Sequence, residues 1–295
     1  MQLTSSWYGR RPALLAGVAA IAVALSLLAL PPVRAVADDL LSVFRVQKIV
    51  FVPISPDRMQ QLQNLKLEGK TLFVDKPTVD RQAEPRTVAS AAEASSAVGY
   101  NIAQLANLPS PPLSTEFTVV GPSKGHFQVD VAAARQVLDL LGIQDVTIPD
   151  SLGASPIAVE APAFVATRYR GANYDLTLHQ GASPNVTLPE GVELAQLGKV
   201  ALRVLGMTPE QAEAASQSIN WNNTLIFPFP QDMNNVRQVT VGGQNALLTS
   251  AGPRGSERWQ LYWQRGDRLY MLEGRGDMGE EDMVNLLVTA AESVS

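Results

Sequence analysis

The closing stretch "RWQLYWQRGDRLYMLEGRGDMGEEDMVNLLVTAAESVS", residues 258–295, leaves little choice of local structure. "RWQLYWQ" and "RLYMLEG" alternate apolar and polar residues, which is the two-residue period of a half-buried strand. Between them stands Arg265-Gly266-Asp267, where glycine supplies the positive φ of a tight bend and aspartate bonds the local backbone. Downstream, Met283, Leu286, Leu287, Ala290, Ala291 and Val294 recur at helical spacing on one face. The second triplet, Arg275-Gly276-Asp277, falls between that strand and that helix, with Asp277 expected as N-cap and Glu280 three residues on. A turn and a helix start account for both Arg-Gly-Asp triplets, so neither is read as an adhesion signal. The acids Asp277, Glu280, Glu281 and Asp282 lack the spaced oxygen ligands of a calcium loop and suit the positive end of a helix.

The same grammar extends upstream. "TVASAAEASSAVGY" predicts a helix capped by Thr87 and stopped at Gly99. "LSTEFTVVGPSKGHFQVD" predicts two strands around a Gly-Pro-Ser-Lys-Gly turn, and Asp130 caps a helix through Ala134, Val137, Leu138 and Leu141 that Gly142 ends. A hairpin bent at Gly171-Ala172-Asn173 follows, then a helical stripe at Leu194, Leu197, Ala201, Leu202 and Leu205 that Gly206 closes. Thr208-Pro209-Glu210-Gln211 restarts a helix, and "RQVTV" and "NALLTS" flank Gly242-Gly243. Strands joined by short turns with helices interspersed predict the α+β class, with antiparallel sheets and packed helices.

The amino end differs in kind. Eleven residues ending in Arg10-Arg11 precede an uncharged run from Pro12 to Leu30, close to the ~20 residues that span a bilayer. Arginines before the run and Asp38-Asp39 after it predict the N-terminus inside and residues 38–295 outside. Residues 12–30 are thus expected to meet the membrane as a transmembrane or signal helix. Ala35-Val36-Ala37 has the small-x-small form that signal peptidase accepts, so both a single-pass anchor and secretion after cleavage near Ala37 stay open. The expected organisation is an anchor or signal segment (1–37), a juxtamembrane strand and linker (38–86) and an extracytoplasmic α+β domain (87–295).

Composition removes several chemistries. Without cysteine there is no disulfide framework, lipidated cysteine, thiolate metal site or cysteine nucleophile, and two histidines are too few for a transition-metal centre. The formal charge is −5, and the first 37 residues carry three arginines and no acid, so the remainder stands at −8. A surface of that sign repels nucleic acid, which is excluded as a partner. Gly121-Pro122-Ser123-Lys124-Gly125 spells a nucleophile elbow, but a strand rather than a helix follows it, so a plain turn is expected. His179 is expected at a strand end. "NWNNTLIFPFP" sets Trp221 beside Asn222 and Asn223, residues able to stack on and hydrogen-bond a ligand ring, and these three are the ligand-binding candidates. No metal, cofactor or catalytic residue is assigned.

The order "VASAAEASSAVGYNIAQLANLP", "VATRYRGANYDLTLHQG", "RQVTVGGQNALLTS", "LYWQRGDRLYMLEG" and a helix ending "TAAESV" resembles a bacterial extracytoplasmic domain of unknown function found in anti-sigma-factor-like and sporulation-associated membrane proteins. The resemblance covers roughly residues 85–295, is most specific around Trp263, Tyr270 and the final helix, and implies no catalytic residues. Anti-sigma proteins hold the sigma factor with a folded cytoplasmic domain, and eleven residues are too few for one, so any signalling is expected to run from outside. The expectation is a non-catalytic, membrane-anchored domain that binds a ligand or another envelope protein at the bacterial cell envelope. The alternatives are an envelope hydrolase using Ser123 or the Trp221 region, and a purely structural envelope component.

Overall fold

Segments of alternating polarity form the strands and segments of 3.6-residue period form the helices throughout the computed structural model, which describes residues 48–65, 72–75, 77–221, 224–230, 236–252, 257–276 and 278–294. In chain order β1 (Lys48–Ile54) precedes α1 (Pro56–Gln63), and β2 (Thr78–Gln82) and β3 (Arg86–Val88) precede α2 (Ala91–Val98). Then come β4 (Ser114–Val120), β5 (Ser123–Phe127), α3 (Val131–Leu140), a 3-10 turn at Asp150–Gly153, β6 (Ile157–Ala161), β7 (Phe164–Arg170), β8 (Tyr174–Ala182) and β9 (Asn185–Thr187). The remainder is α4 (Leu194–Val204), α5 (Pro209–Ser218), β10 (Thr224–Pro230), β11 (Val236–Val241), β12 (Gln244–Ala251), β13 (Arg258–Arg265), β14 (Arg268–Gly276) and α6 (Glu280–Glu292). The class is α+β.

Eight strands form one antiparallel sheet in the order β11-β12-β13-β14-β8-β7-β4-β3. Its inner face presents Tyr169, Leu176, Leu178, Leu248, Leu261, Trp263 and Leu272, and α6 lays Met283, Leu286, Leu287, Ala290 and Ala291 onto it. Burying each of those larger α6 side chains contributes about 1.5–3 kcal/mol, which is why the helical stripe has no polar interruption. At the β3-β4-β7 end, α2 covers Val88, Phe117, Val119 and Val165 with Ala94. Between the two helices the irregular segment 99–113 straps the face. Leu105 N donates to Tyr169 Oη at 3.0 Å, Gln180 exchanges bonds of 2.7 and 2.8 Å with the backbone of Ala103, and Ala106 N donates to Ser293 Oγ at 2.8 Å. Tyr100 closes the same end with Arg268 3.6 Å over its ring, and burial, opposed by that arginine, pushes its phenol up to about 12.

A second antiparallel sheet, β2-β5-β6-β9, packs Phe127, Ile157 and Val186 in one core with Leu138 of α3 and Leu197, Val200 and Val204 of α4. The opposite side of α4 carries Leu202 and, just beyond its end, Leu205, which meet Val52, Ile54, Ala212 and Ile226. A helix buried on two sides keeps only a narrow polar stripe, and in α4 that stripe is Gln196, Lys199 and Arg203. Val52, Ile54 and Ile226 belong to the one parallel pair among the described strands, β1 with β10, registered Phe51 to Phe227. The expected antiparallel rule therefore has an exception, because β1 and β10 enter side by side from distant parts of the chain.

The stretch 38–86, expected as strand and linker, supplies β1, α1, β2 and the first residue of β3. Arg58 of α1 shows how firmly it is held. Its Nε donates to Val204 O at 2.9 Å, Nη2 to Arg203 O at 2.8 Å and Nη1 to Gln61 Oε1 at 2.8 Å, so a guanidinium caps the carbonyl end of α4, sharing Arg203 O with Gly206 N.

Most start and stop signals hold. Asp130 Oδ1 accepts from Ala133 N at 2.9 Å, Thr208 and Gln211 form a reciprocal capping box, and Gly99, Gly142 and Gly206 follow their helices at positive φ. Two caps move. α2 is capped by Ser90, because Thr87 is already paired with Thr118 in β3. At α6 the N-cap is Gly279, whose place excludes the cap expected at Asp277, and Asp277 lies outside the described residues. The Gly-Pro-Ser-Lys-Gly segment is not a hairpin bend: β4 pairs with β7 and β5 with β6, so the chain crosses there from one sheet to the other. Among the described residues no helix is long and apolar enough to cross a membrane, and residues 12–30 lie outside them.

Candidate functional site

Because α2, α6 and the 99–113 strap seal one side of the eight-stranded sheet, its other side carries the alternate residues of each strand, many of them polar. Residues directly opposed on antiparallel strands share a face, and the registers align them into cross-strand rows. One row reads Glu116, Arg168, Thr177, Glu273, Gln260, Thr249. Its neighbour on one side reads Thr118, Ala166, His179, Met271, Tyr262, Leu247. On the other side Ser114, Arg170, Asp175 and Arg275 form a third row, with Arg258 beyond Arg275 on the adjoining strand. The face therefore grades from arginine-rich to aromatic and apolar across three strand positions.

The charged part is held by paired contacts. Arg168 forks onto Asp175, with Nε 2.8 Å from Oδ1 and Nη2 on Oδ2, and this fork holds the Asp175 carboxyl below its ordinary value. Glu273 accepts from Arg275 Nη2 at 2.9 Å on Oε1, and Arg258 Nε stands 3.4 Å from the same oxygen. Tyr262 Oη donates to Gln260 Oε1 at 3.0 Å, and Gln260 Nε2 reaches toward Glu273 at 3.5 Å. The apolar end continues off the sheet: Phe227 of β10 lies 5.7 Å from the Tyr262 ring and 5.8 Å from that of Phe51. Ion pairs, amide and phenol groups and an aromatic ledge are the elements with which protein surfaces hold polypeptide.

His179 departs from the expected strand end. It stands within β8, opposite Ala166 and Met271, because the strand runs on through Gly181 and Ala182. Burial lowers its pKa from 6.5, opposed by the negative charge of Glu273. Below 6.5 the unfolded chain then takes up a proton before the folded one does, so this residue's contribution to stability is complete above that pH and is lost as pH falls through the folded value. Replacing His179 by Gln is expected to flatten the decline in urea midpoint between about pH 7 and 5. An unchanged slope contradicts the burial of the neutral ring.

Trp221 is packed into the fold. Its Nε1 donates to Ser216 O at 2.9 Å, and its ring lies so close to Gly198 of α4 that a Cβ there would meet a ring carbon at 2.1 Å. The indole donor is used and the ring joins the cores on both sides of α4, so Trp221 serves as a cover for that helix. Asn222 and Asn223 lie outside the described residues. Ser123 and His126 are three positions apart in β5 and so point to opposite faces, and His126 Nδ1 is 2.9 Å from Asp80; the two do not form a nucleophile–base pair. Among the described residues no three His, Asp or Glu side chains gather as metal ligands. A groove of about 670 Å³ between α1 and the end of α3 is lined by Asp57, Gln60, Gln61, Asn64 and three leucines, without convergent charged groups.

The residues of the outer face were not singled out from the sequence, although one signal was there. They are the alternate residues turned away from the core in "FVATRYR", "YDLTLHQ", "RWQLYWQ" and "RLYMLEG", polar apart from Phe164, Ala166, Leu269 and Met271. That phase says which residues turn away from the core; it does not say that β14 lies beside β8, which is what brings Glu273 to Thr177 and Arg275 to Asp175.

No family model, curated protein or solved structure matches the chain.

Proposed function

We propose that this chain is a non-catalytic domain of the bacterial cell envelope, with residues 12–30 in the membrane and the folded part outside, that binds a polypeptide partner through the outer face of its eight-stranded sheet. The observation that carries the reading is the gradation of that face, from the arginine and carboxylate rows to the ledge of His179, Met271, Tyr262 and Phe227. Part of that ledge is used inside the fold, where Phe227 of β10 meets Tyr262 and Leu247 is buried, and the partly exposed sides of His179, Met271, Tyr262 and Phe227 are what a partner would meet. The resemblance of the C-terminal strands and helix to an extracytoplasmic domain of anti-sigma-factor-like proteins supports a place in signalling, and the apolar run with its flanking arginines supports the location.

The test is photo-crosslinking in intact cells. With p-benzoylphenylalanine in place of Tyr262 the full-length chain is expected to form one discrete adduct with a second protein, while the same group at Leu140, an exposed position on α3, forms none. Equal labelling from both positions, or none from Tyr262, overturns the reading.

A further inference from the structure

The outer face is richer in arginine than a chain carrying net negative charge leads one to expect. Arg168, Arg170, Arg258 and Arg275 meet three carboxylates there, those of Glu116, Asp175 and Glu273. Two of the arginines share one partner: Arg258 and Arg275, on neighbouring strands beside the Trp259–Gly274 pair, both reach Oε1 of Glu273. Like charges brought together on adjoining strands oppose one another, and a single carboxylate between them leaves a net positive charge. A guanidinium has five N–H donors, and the shared oxygen engages one from each arginine. Both side chains are half exposed, at 50 % and 51 %, against 19 % for Glu273. The resident carboxylate is thus sunk between two guanidiniums that are each half exposed to solvent.

We infer that this arginine row receives carboxylates, and that the partner presents an acidic, amphipathic polypeptide segment whose apolar side chains lie along the Tyr262–Phe227 ledge. The inference rests on the outer face being the binding surface. Guanidinium forks fit carboxylate and phosphate alike, so the choice between them comes from what surrounds the row. Glu116, Asp175 and Glu273 stand among the arginines, and a uniformly dense polyanion laid along them meets repulsion at those carboxylates. Carboxylates spaced along a polypeptide can settle on the arginines alone. His179, Met271 and Tyr262, each partly exposed, lie immediately alongside, where a phosphate polymer has nothing to place and a peptide has apolar side chains; Leu247 at the end of that row is buried.

Fluorescence anisotropy of the full-length chain in detergent micelles, titrated against a labelled random copolymer of glutamate and tyrosine, tests this. Saturable, salt-sensitive binding is expected, weakened about tenfold by Arg258→Gln with Arg275→Gln at unchanged melting temperature. Glu273→Gln, which withdraws the resident competitor, is expected to tighten binding several-fold. Absence of binding, indifference to the arginine pair, weaker binding of the Glu273 variant, or polyphosphate of equal charge binding as tightly as the copolymer each overturns the inference. The two failures are separable. A Tyr262 adduct in cells with no copolymer binding removes the acidic segment and leaves the surface; loss of the adduct removes the surface itself.

Discussion

Trp263→Ala is expected to destabilise the folded chain by about 4 kcal/mol, the largest effect of any single core truncation, because deleting a buried indole forfeits both its transfer energy and the contacts around the void. The ring is 2 % exposed, stacks on Tyr270 at 5.1 Å with 12° between planes, and sits where β13 meets α6. Its surroundings can close only partly, since Leu261, Leu272 and Ala291 are themselves fixed by the sheet and the helix. A small cavity of about 130 Å³ already borders the ring, lined also by Val241 and Val294, and removal of the indole enlarges it. For a folded body of this size the loss corresponds to a fall in melting temperature of about 12 °C. Trp263→Phe keeps an aromatic against Tyr270 and is expected to lose about a third as much. A loss below about 1.5 kcal/mol for the alanine variant, measured by urea denaturation, contradicts the packing described for this interface.

The C-terminal hairpin and helix around that tryptophan were legible from the residues alone, and the reason is local. Alternation, Gly266 at φ 60° and the α6 stripe each act within one turn or strand, so no distant partner is needed to interpret them. The N-cap of α6 was misplaced for an equally local reason: Asp277 and Gly279 are both competent to begin a helix, and composition does not choose between positions two residues apart. What was not legible depends on long-range pairing. The run "GPSKG" has the residues of a bend, yet β4 and β5 leave it for different sheets, and nothing in those residues states which strand lies beside which. Trp221 illustrates the same limit from the other side. An aromatic among asparagines suggests a ligand platform, and only the approach of α4 reveals that Gly198, a helix-interior glycine, is small so that the ring can sit against it. The outer-face residues fall between these cases, since their phase was visible and their alignment into rows was not.

Arg58→Ala is expected to cost about 3 kcal/mol, although arginine on a short polar helix looks expendable in the sequence. The residue is 9 % exposed, and alanine there leaves Val204 O without the Arg58 donor at the negative end of α4 and reduces Arg203 O to the bond it accepts from Gly206 N. It also strips the aliphatic stem from Gly206, where a Cβ would approach Arg58 Cγ to 3.1 Å. Burial, helped by the charge of Arg203, lowers the pKa of this guanidinium, which is the mark of a cation held in place by its hydrogen bonds rather than by hydration. Arg58→Lys retains the charge and loses the fork, so it is expected to recover no more than about half the loss. A change below about 1 kcal/mol for the alanine variant in urea denaturation overturns the anchoring role. The same contacts determine where the folded unit begins. A fragment starting at residue 87 keeps α4 but lacks Val52, Ile54 and Arg58, so Leu202, Leu205, Ala212 and Ile226 lose their cover together. Residues 48–63 are therefore stitched into the domain core, β1 through its pairing with β10 and α1 through the bonds of Arg58 to the end of α4.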